Sequence, residues 1–254
     1  MNGNNEQVIE MEEFYKNSLL TQPNKIPDRV EFKDGRWYHL DGKYKPSVTR
    51  VDSVIDKGYG FEKWLGDATS YKDACEYRDK RAEIGSKVHT LIAKLILYKQ
   101  IKTDDLTEEE IKMVMSFKQF WIEKDPLPVT IECPLWSDTI PVAGTVDMII
   151  RIDSENWIID IKTGNIWNAH QIQLSWYKHL AEDMFNIKID HIAAVRPKVF
   201  IKNPSCQIKE FEPLDRQFLD NVYELWEWNN NFPGPKEETK YPEIITLEDT
   251  DESK

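Results

Sequence analysis

The sequence predicts an α/β fold around a mixed central sheet flanked by helices, with a small antiparallel meander ahead of it. Three observations carry that prediction. The hydrophobic period switches from helical to alternating near residue 129 and returns to helical near residue 170. Two Asp-Gly pairs, Asp34-Gly35 and Asp41-Gly42, separate short aromatic and β-branched runs near the start. From about residue 77 the order is helices, three strands, helix, strand, an alternation that builds layered α/β domains.

Residues 1–28 are expected to be a flexible N-terminal segment, in which EQVIEMEEFYKNSLL has the composition of a short helix. The meander falls within RVEFKDGRWYHLDGKYKPSVT, and Ser47 or Thr49 is placed to cap a helix starting near Arg50. A helical region runs from about Phe61 to Tyr98, broken near Ser70, with Ile84, Val88, Leu91, Ile92, Leu95 and Ile96 recurring at helical spacing. A further helix is predicted in TEEEIKMVMSFKQFWIEK, opened by a Thr107–Glu110 capping box. VTIECPLWS, IPVAGTVDMIIRI and NWIIDIKT read as three consecutive strands, with turns at Asp138 and at SEN, 154–156. A helix follows (HQIQLSWYKHLAEDMFN), then strand-like runs HIAAVRPKVFI and CQIKEFEP, and a last helix, LDRQFLDNVYELWEWNNNF. Residues 29–235 are expected to form one domain with its core over about 77–200, and 236–254 an acidic C-terminal tail, solvated rather than packed.

Composition narrows the function classes. The chain has no run of eighteen apolar residues, so no membrane association is expected. The polar, acidic start does not resemble a secretory signal. Cys75, Cys133 and Cys206 lie far apart without metal-ligand spacing, which points to a reduced, cytoplasmic setting and no zinc or iron–sulfur site. A net charge of -12 argues against non-specific coating of nucleic acid, although it leaves room for a local basic groove.

The stretch VAGTVDMIIRIDSENWIIDIKTG, Val142–Gly164, places aspartates inside two apolar runs. An unpaired buried charge is expensive, so these positions need a reason. On a strand, residues i and i+2 share a face. Asp160 therefore shares one with Lys162, and Asp147 with Thr145. If the two strands pair across the SEN turn, the aspartates converge at one end of the sheet. Two carboxylates beside a lysine suit a hard divalent cation such as Mg²⁺, which is usually held by one or two carboxylates together with substrate phosphate. The structural alternative is a buried ion pair plus a solvated strand-end aspartate.

GTVD followed thirteen residues later by DIKT resembles the core of the PD-(D/E)XK nuclease superfamily, in particular its RecB-like and lambda-exonuclease-like branch. Three further segments match. IGSKVH, Ile84–His89, resembles the family's GxxxH; QLSWY, Gln173–Tyr177, resembles its QxxxY; KPSVTRVDSVI, Lys45–Ile55, resembles the PSVT segment of phage-encoded members and of the mitochondrial genome maintenance exonuclease. The resemblance covers roughly Pro46–Leu180 and implies a restriction-endonuclease-like core. It implies an Mg²⁺- or Mn²⁺-dependent deoxyribonuclease, with exonuclease action favoured, in recombination, repair or replication in a bacterial or phage-infected cell. Carried over, Asp147, Asp160 and His89 become metal ligands, and Ile161 offers its backbone carbonyl. Glu132 completes the shell, unless it is an exposed strand glutamate. Lys162 positions or activates the hydrolytic water, and Gln173 and Tyr177 orient active-site groups or touch DNA. The alternative for His89 is a packed histidine beside its apolar stripe.

DNA, as single- or double-stranded ends, is the implied partner, together with a replication or recombination protein. Lys57, Arg81, Lys87 and Thr163 are assigned to DNA contact; Lys63, Lys72, Arg78, Lys80, Arg196 and Lys198 are further cations to consider, and Tyr59, Phe61 and Trp64 are aromatic groups able to stack on bases. Two rival functions remain at this point: a structure-specific endonuclease, and a non-catalytic DNA- or partner-binding protein on the same fold.

Overall fold

In the computed structural model, residues 25–55, 70–231 and 234–235 are described. The chain enters through a three-stranded antiparallel sheet, β1 (Asp28–Phe32), β2 (Gly35–Leu40) and β3 (Lys43–Pro46). Its second turn is the Asp41-Gly42 pair, at φ 49° and 77°, the left-handed pair that a tight hairpin turn demands, while the first is Lys33-Asp34, with Gly35 already paired with Phe32 as the first residue of β2. A short helix, α1 (Val48–Val51), begins where Ser47 accepts a hydrogen bond from the Arg50 amide, and a 3₁₀ turn follows over Asp52–Val54.

Helix α2 (Tyr71–Tyr98) is capped by Ser70, whose side chain accepts from the Asp73 amide. Its partner α3 (Glu108–Lys124) opens with the Thr107–Glu110 capping box. The main sheet then forms in the order β4 (Leu127–Leu135), β5 (Gly144–Ile152), β6 (Glu155–Ile161), β7 (His191–Pro197), β8 (Cys206–Phe211). All neighbours are antiparallel except β6 and β7, which run parallel because α4 (His170–Phe185) crosses between them. Helix α5 (Arg216–Asn230) closes the described core.

This is the mixed α/β architecture that the sequence predicts. Several strand boundaries shift by one or two residues, and two differ by more. β5 begins at Gly144 rather than near Ile140, because Ala143 is drawn aside into a lone bridge with Ser47. β7 ends at Pro197, whose missing amide suits a strand end, so Lys198–Ile201 stay outside the sheet.

Two apolar cores sandwich the sheet. One packs Trp176, Leu180 and Ile172 of α4 and Trp226 of α5 against Val129, Val146 and Ile158. The other packs Val88, Ile92 and Ile96 of α2 and Met113, Phe117 and Phe120 of α3 against Ile131, Met148 and Ile159. Alternate residues of a strand belong on one face, yet Ile131 joins the second core and Cys133 the first. The residue between them, Glu132, has φ +48°. A left-handed glutamate flips the side-chain alternation of β4, and the next strand switches in step between Val146 and Met148. That double flip lies at Glu132 and Asp147, where the candidate site begins.

Candidate active site

β5 and β6 pair from Ile152–Glu155 down to Met148–Ile159 and then part. Continuing the register would set Asp147 opposite Asp160. Instead the Asp147 side chain enters the gap and its Oδ2 accepts the Ile161 amide at 2.6 Å. The amide of the next residue, Lys162, is taken by the Val195 carbonyl at 2.9 Å across the parallel pair. The open end of the sheet is thus held by one carboxylate and one neighbouring strand.

From the α2 side, His89 Nδ1 lies 3.4 Å from Asp147 Oδ1. One donor atom each from His89, Glu132 and Asp147 falls within a 4.8 Å cluster. From the α4 side, Lys162 Nζ sits 2.6 Å from Asp160 Oδ2 and donates to Gln173 Oε1 at 3.0 Å. Gln173 Nε2 in turn donates to the Tyr177 hydroxyl at 3.1 Å. Gln173 and Tyr177 lie one helical turn apart, so a single face of α4 supplies both. The seven side chains of His89, Glu132, Asp147, Asp160, Lys162, Gln173 and Tyr177 line one cleft of about 600 Å³, whereas the Ile161 side chain is packed in the α2–α3 core. The Ile161 amide is committed to Asp147.

Two glycines make the approach possible. A Cβ on Gly144 would stand 2.5 Å from Tyr177 Cε1, so GTVD needs its glycine to let the tyrosine ring lie across β5. A Cβ on Gly85 would stand 3.0 Å from Thr163 Oγ1. Gly85 lies one turn before His89, and its bare surface lets the segment after β6 close against α2. Thr163 therefore meets α2 at the cleft wall.

Electrostatics at the site are out of balance. Burial pushes the Asp160 carboxyl up to about 6, with Lys162 opposing and the Asp147 charge adding to it. Burial and the Asp147 charge push Glu132 up to about 7. Burial works against ionised Asp147, but His89, Lys162 and the Ile161 amide outweigh it and hold its carboxyl below the usual range. His89 loses stability as a cation through burial, yet Asp147, Glu132 and Asp160 raise it to about 9. Asp160 Oδ2 is buried, and no donor meets it in hydrogen-bond geometry despite the close Lys162 ammonium. Tyr177 is driven well above the ordinary phenol range by burial.

Of the residues assigned to DNA contact, Lys57 lies outside the described residues, as do Tyr59, Phe61, Lys63 and Trp64. Arg81 pairs with Glu109, and Lys87 donates to Glu110 at 3.0 Å. Both bonds run to α3, and neither side chain lines the cleft. The cations that do line it, besides Lys162, are Arg29 and Arg36 of the meander and Lys94 of α2. Sequence reasoning passed over these three. Strand parity in β1 and β2 would have put both arginines on one face, but nothing local says which sheet that face meets. It also missed Asp52, whose carboxyl is buried with Oδ1 unpartnered and is raised well above its usual range by burial, against the charge of Lys162. His170, at the start of α4, is pushed down to about 3 by burial and by the charges of Lys162 and Lys209.

No family model matches the chain, and no curated protein matches it. Among solved structures it is similar to an alkaline exonuclease (LHK-Exo) from Laribacter hongkongensis, at 11% identity and a TM-score of 0.37, covering 74% of this chain and 88% of that one. It is similar also to LHK-Exo in complex with dAMP, at 12% identity and a TM-score of 0.35 over the same shares of the two chains.

Proposed function

We propose that this protein is a divalent-metal-dependent deoxyribonuclease of the PD-(D/E)XK superfamily, of its RecB-like and lambda-exonuclease-like branch, acting on DNA ends as an exonuclease in recombination, repair or replication. One observation carries the reading: His89, Glu132 and Asp147 converge within 4.8 Å at the parted end of β5 and β6, beside the Asp160–Lys162 pair. The donor set fits a hard cation. It is oxygen-rich with one imidazole, it gathers three carboxylates against one lysine and one histidine, and it is held by a left-handed Glu132. Backbone strain of that kind costs about 1–3 kcal/mol and concentrates at functional sites.

Asp147, Asp160, Glu132 and His89 would hold Mg²⁺ or Mn²⁺, with the Ile161 carbonyl as a further oxygen. When bound, the ion supplies Lewis-acid neutralisation of the scissile phosphate and a more acidic attacking water. Lys162 does the rest of the electrostatic work. Its ammonium is pinned between Asp160 and Gln173, where it orients the water and stabilises charge developing on the phosphoryl oxygens. Tyr177 fixes the amide of Gln173, and Gln173 fixes the lysine, so the donor is set before substrate arrives. Thr163, next to Lys162 and packed against Gly85, is assigned to backbone contact by the resemblance alone.

The test is cleavage of end-labelled single- and double-stranded oligonucleotides with Mg²⁺ or Mn²⁺. Asp160→Ala and Lys162→Ala should each abolish metal-dependent cleavage while the circular dichroism spectrum and a cooperative unfolding transition persist. Full activity in either variant overturns the assignment. Intact closed circles should survive where linear DNA is degraded; nicked circles would point to endonuclease action.

A further inference from the structure

The chain carries a net charge of -12, and its cleft holds a cluster of carboxylates, yet a polyanion has to enter. Phosphate binding needs local cations. Lys162 is tied to Asp160, and Arg81 and Lys87 are neutralised by α3. Arg29 and Arg36 stand on one wall of the cleft, two guanidinium groups sharing the single carboxylate of Glu31, with Lys94 on the α2 wall.

The placement of the two arginines is built into the meander. Arg29 and Glu31 share a face of β1, and their cross-strand partners on β2 are Tyr38 and Arg36. That face is fixed against the main sheet, because the Tyr38 hydroxyl and Thr145 Oγ1 are 2.8 Å apart. Thr145 precedes Asp147 by two residues, about 7 Å along a strand. Both guanidinium groups converge on a single oxygen: Glu31 Oε1 accepts from Arg29 Nη2 at 3.0 Å and from Arg36 Nε at 3.1 Å. Each guanidinium carries five N–H donors in a rigid fork suited to phosphate oxygens. The side chains of Arg29, Glu31 and Arg36 are 49%, 57% and 36% exposed, so the fork faces water and is reachable.

We infer that Arg29 and Arg36, gathered by Glu31 on the meander, form a phosphate clamp that grips the DNA backbone beside the scissile bond and sets the strand's path across the cleft. This rests on the nuclease reading but goes beyond it: the meander becomes part of the substrate site. Glu31 holds both guanidinium groups before binding, so less side-chain freedom is lost when phosphate arrives. The phosphate is either an internal phosphodiester or a terminal phosphomonoester; both present the oxygens the clamp requires.

The experiment measures binding of a fluorescent oligonucleotide by anisotropy in Ca²⁺, across a salt series, alongside steady-state cleavage in Mg²⁺. Arg29→Ala/Arg36→Ala should weaken binding by about tenfold or more and flatten the slope of log K against log salt by on the order of 1 per arginine. KM should rise more than kcat falls, and Arg→Lys at both positions should restore the salt slope while leaving part of the affinity loss. Oligonucleotides with 5′-hydroxyl and 5′-phosphate ends separate the two sources: an equal loss on both marks an internal phosphodiester, a loss confined to the phosphorylated end marks a terminal one. Unchanged affinity and slope in a double variant that still unfolds cooperatively, while the wild type cleaves DNA, overturns the clamp and leaves the nuclease reading standing. A wild type that neither binds nor cleaves DNA overturns both.

Discussion

The two ends of the main sheet each carry a histidine among carboxylates, and they behave in opposite ways. At the turn end, His191 Nε2 meets Glu155 Oε2 at 2.9 Å and Nδ1 meets Glu210 Oε1 at 2.6 Å, with the imidazole stacked on Trp157. Each ring nitrogen has its carboxylate, all three groups touch water, and three adjacent strands are stitched together. At the parted end, His89 faces Asp147 while half-buried Glu132 and buried Asp160 crowd behind it, and desolvation pushes both of those carboxyls towards neutrality. The same residue types make a satisfied surface staple at one end and a charge excess at the other. The difference teaches that the parted end gathers more carboxylates than its own cations balance, the imbalance that the proposed divalent cation would answer.

The largest expected effect comes from relieving that excess. Glu132→Gln keeps the shape of the side chain and removes its charge. Metal-dependent cleavage should fall by at least about tenfold, in line with losses seen when groups that tune a metal site are removed. The metal-free protein should gain stability on the order of 1–2 kcal/mol at pH 8. The sign follows from a carboxyl raised from 4.5 to about 7: its favourable contribution is complete below 4.5 and is lost as pH rises through 7, so the gain should vanish near pH 4.5. Urea unfolding in EDTA at the two pH values checks this. Equal stability of the two proteins at pH 8 would mean that Glu132 is not strained by its neighbours. The matched change at the other end, Glu210→Gln, should leave cleavage intact.

Part of this contrast is written in the sequence. Aspartates inside apolar strands, a lysine two residues on and glutamine–tyrosine spacing on the next helix are local signals, and the structure brings those residues into one cleft. The Thr107–Glu110 box and the Asp41-Gly42 turn were legible for the same reason, since a cap or a turn depends on four residues. What escaped was set by distance and by exceptions. Arg29 and Arg36 reach the cleft because the meander docks on the main sheet through contacts far apart in sequence, Tyr38 meeting Thr145 across 107 positions among them. The left-handed Glu132 breaks strand alternation, and a period-2 pattern carries no sign of a flip. Arg81 and Lys87 looked available on a helix face, and only the packing of α2 on α3 sets Glu109 and Glu110 against them.

The two motif glycines give the next effect and separate packing from positioning. Gly144→Ala would drive a methyl group into the buried ring of Tyr177, which is held by its hydrogen bond from Gln173. Overpacking of this kind costs about 1–3 kcal/mol, so Tm should fall by several degrees, with cleavage reduced as Tyr177 releases Gln173. Gly85→Ala is different. Alanine favours the helix by about 1 kcal/mol, and the clash is with a hydroxyl that turns aside. Stability should stay within about 1 kcal/mol of wild type while kcat drops, because Thr163 adjoins Lys162. Differential scanning calorimetry with single-turnover cleavage distinguishes them. If Gly85→Ala destabilises as much as Gly144→Ala, the Thr163 contact is a packing contact and nothing more.

The smallest effect lies at the staple. Burial disfavours the His191 cation, but hydrogen bonds to Glu210 and Glu155 and their charges outweigh it, so its pKa is raised from 6.5. Asp190 adds a further negative charge beside it. A histidine of raised pKa contributes stability that is fully present below its unfolded value and is lost as pH rises through the folded one. His191→Gln should therefore cost most near pH 6 and little more than the lost Trp157 stacking near pH 9. Because Glu155 and Glu210 are half exposed, the pH-dependent part should stay below about 1 kcal/mol and shrink in high salt. Urea denaturation at pH 6 and pH 9 reads it directly. A difference between wild type and variant that does not change with pH would mean that the imidazole holds the three strands by stacking alone, and that its carboxylates are surface groups of no consequence to the fold.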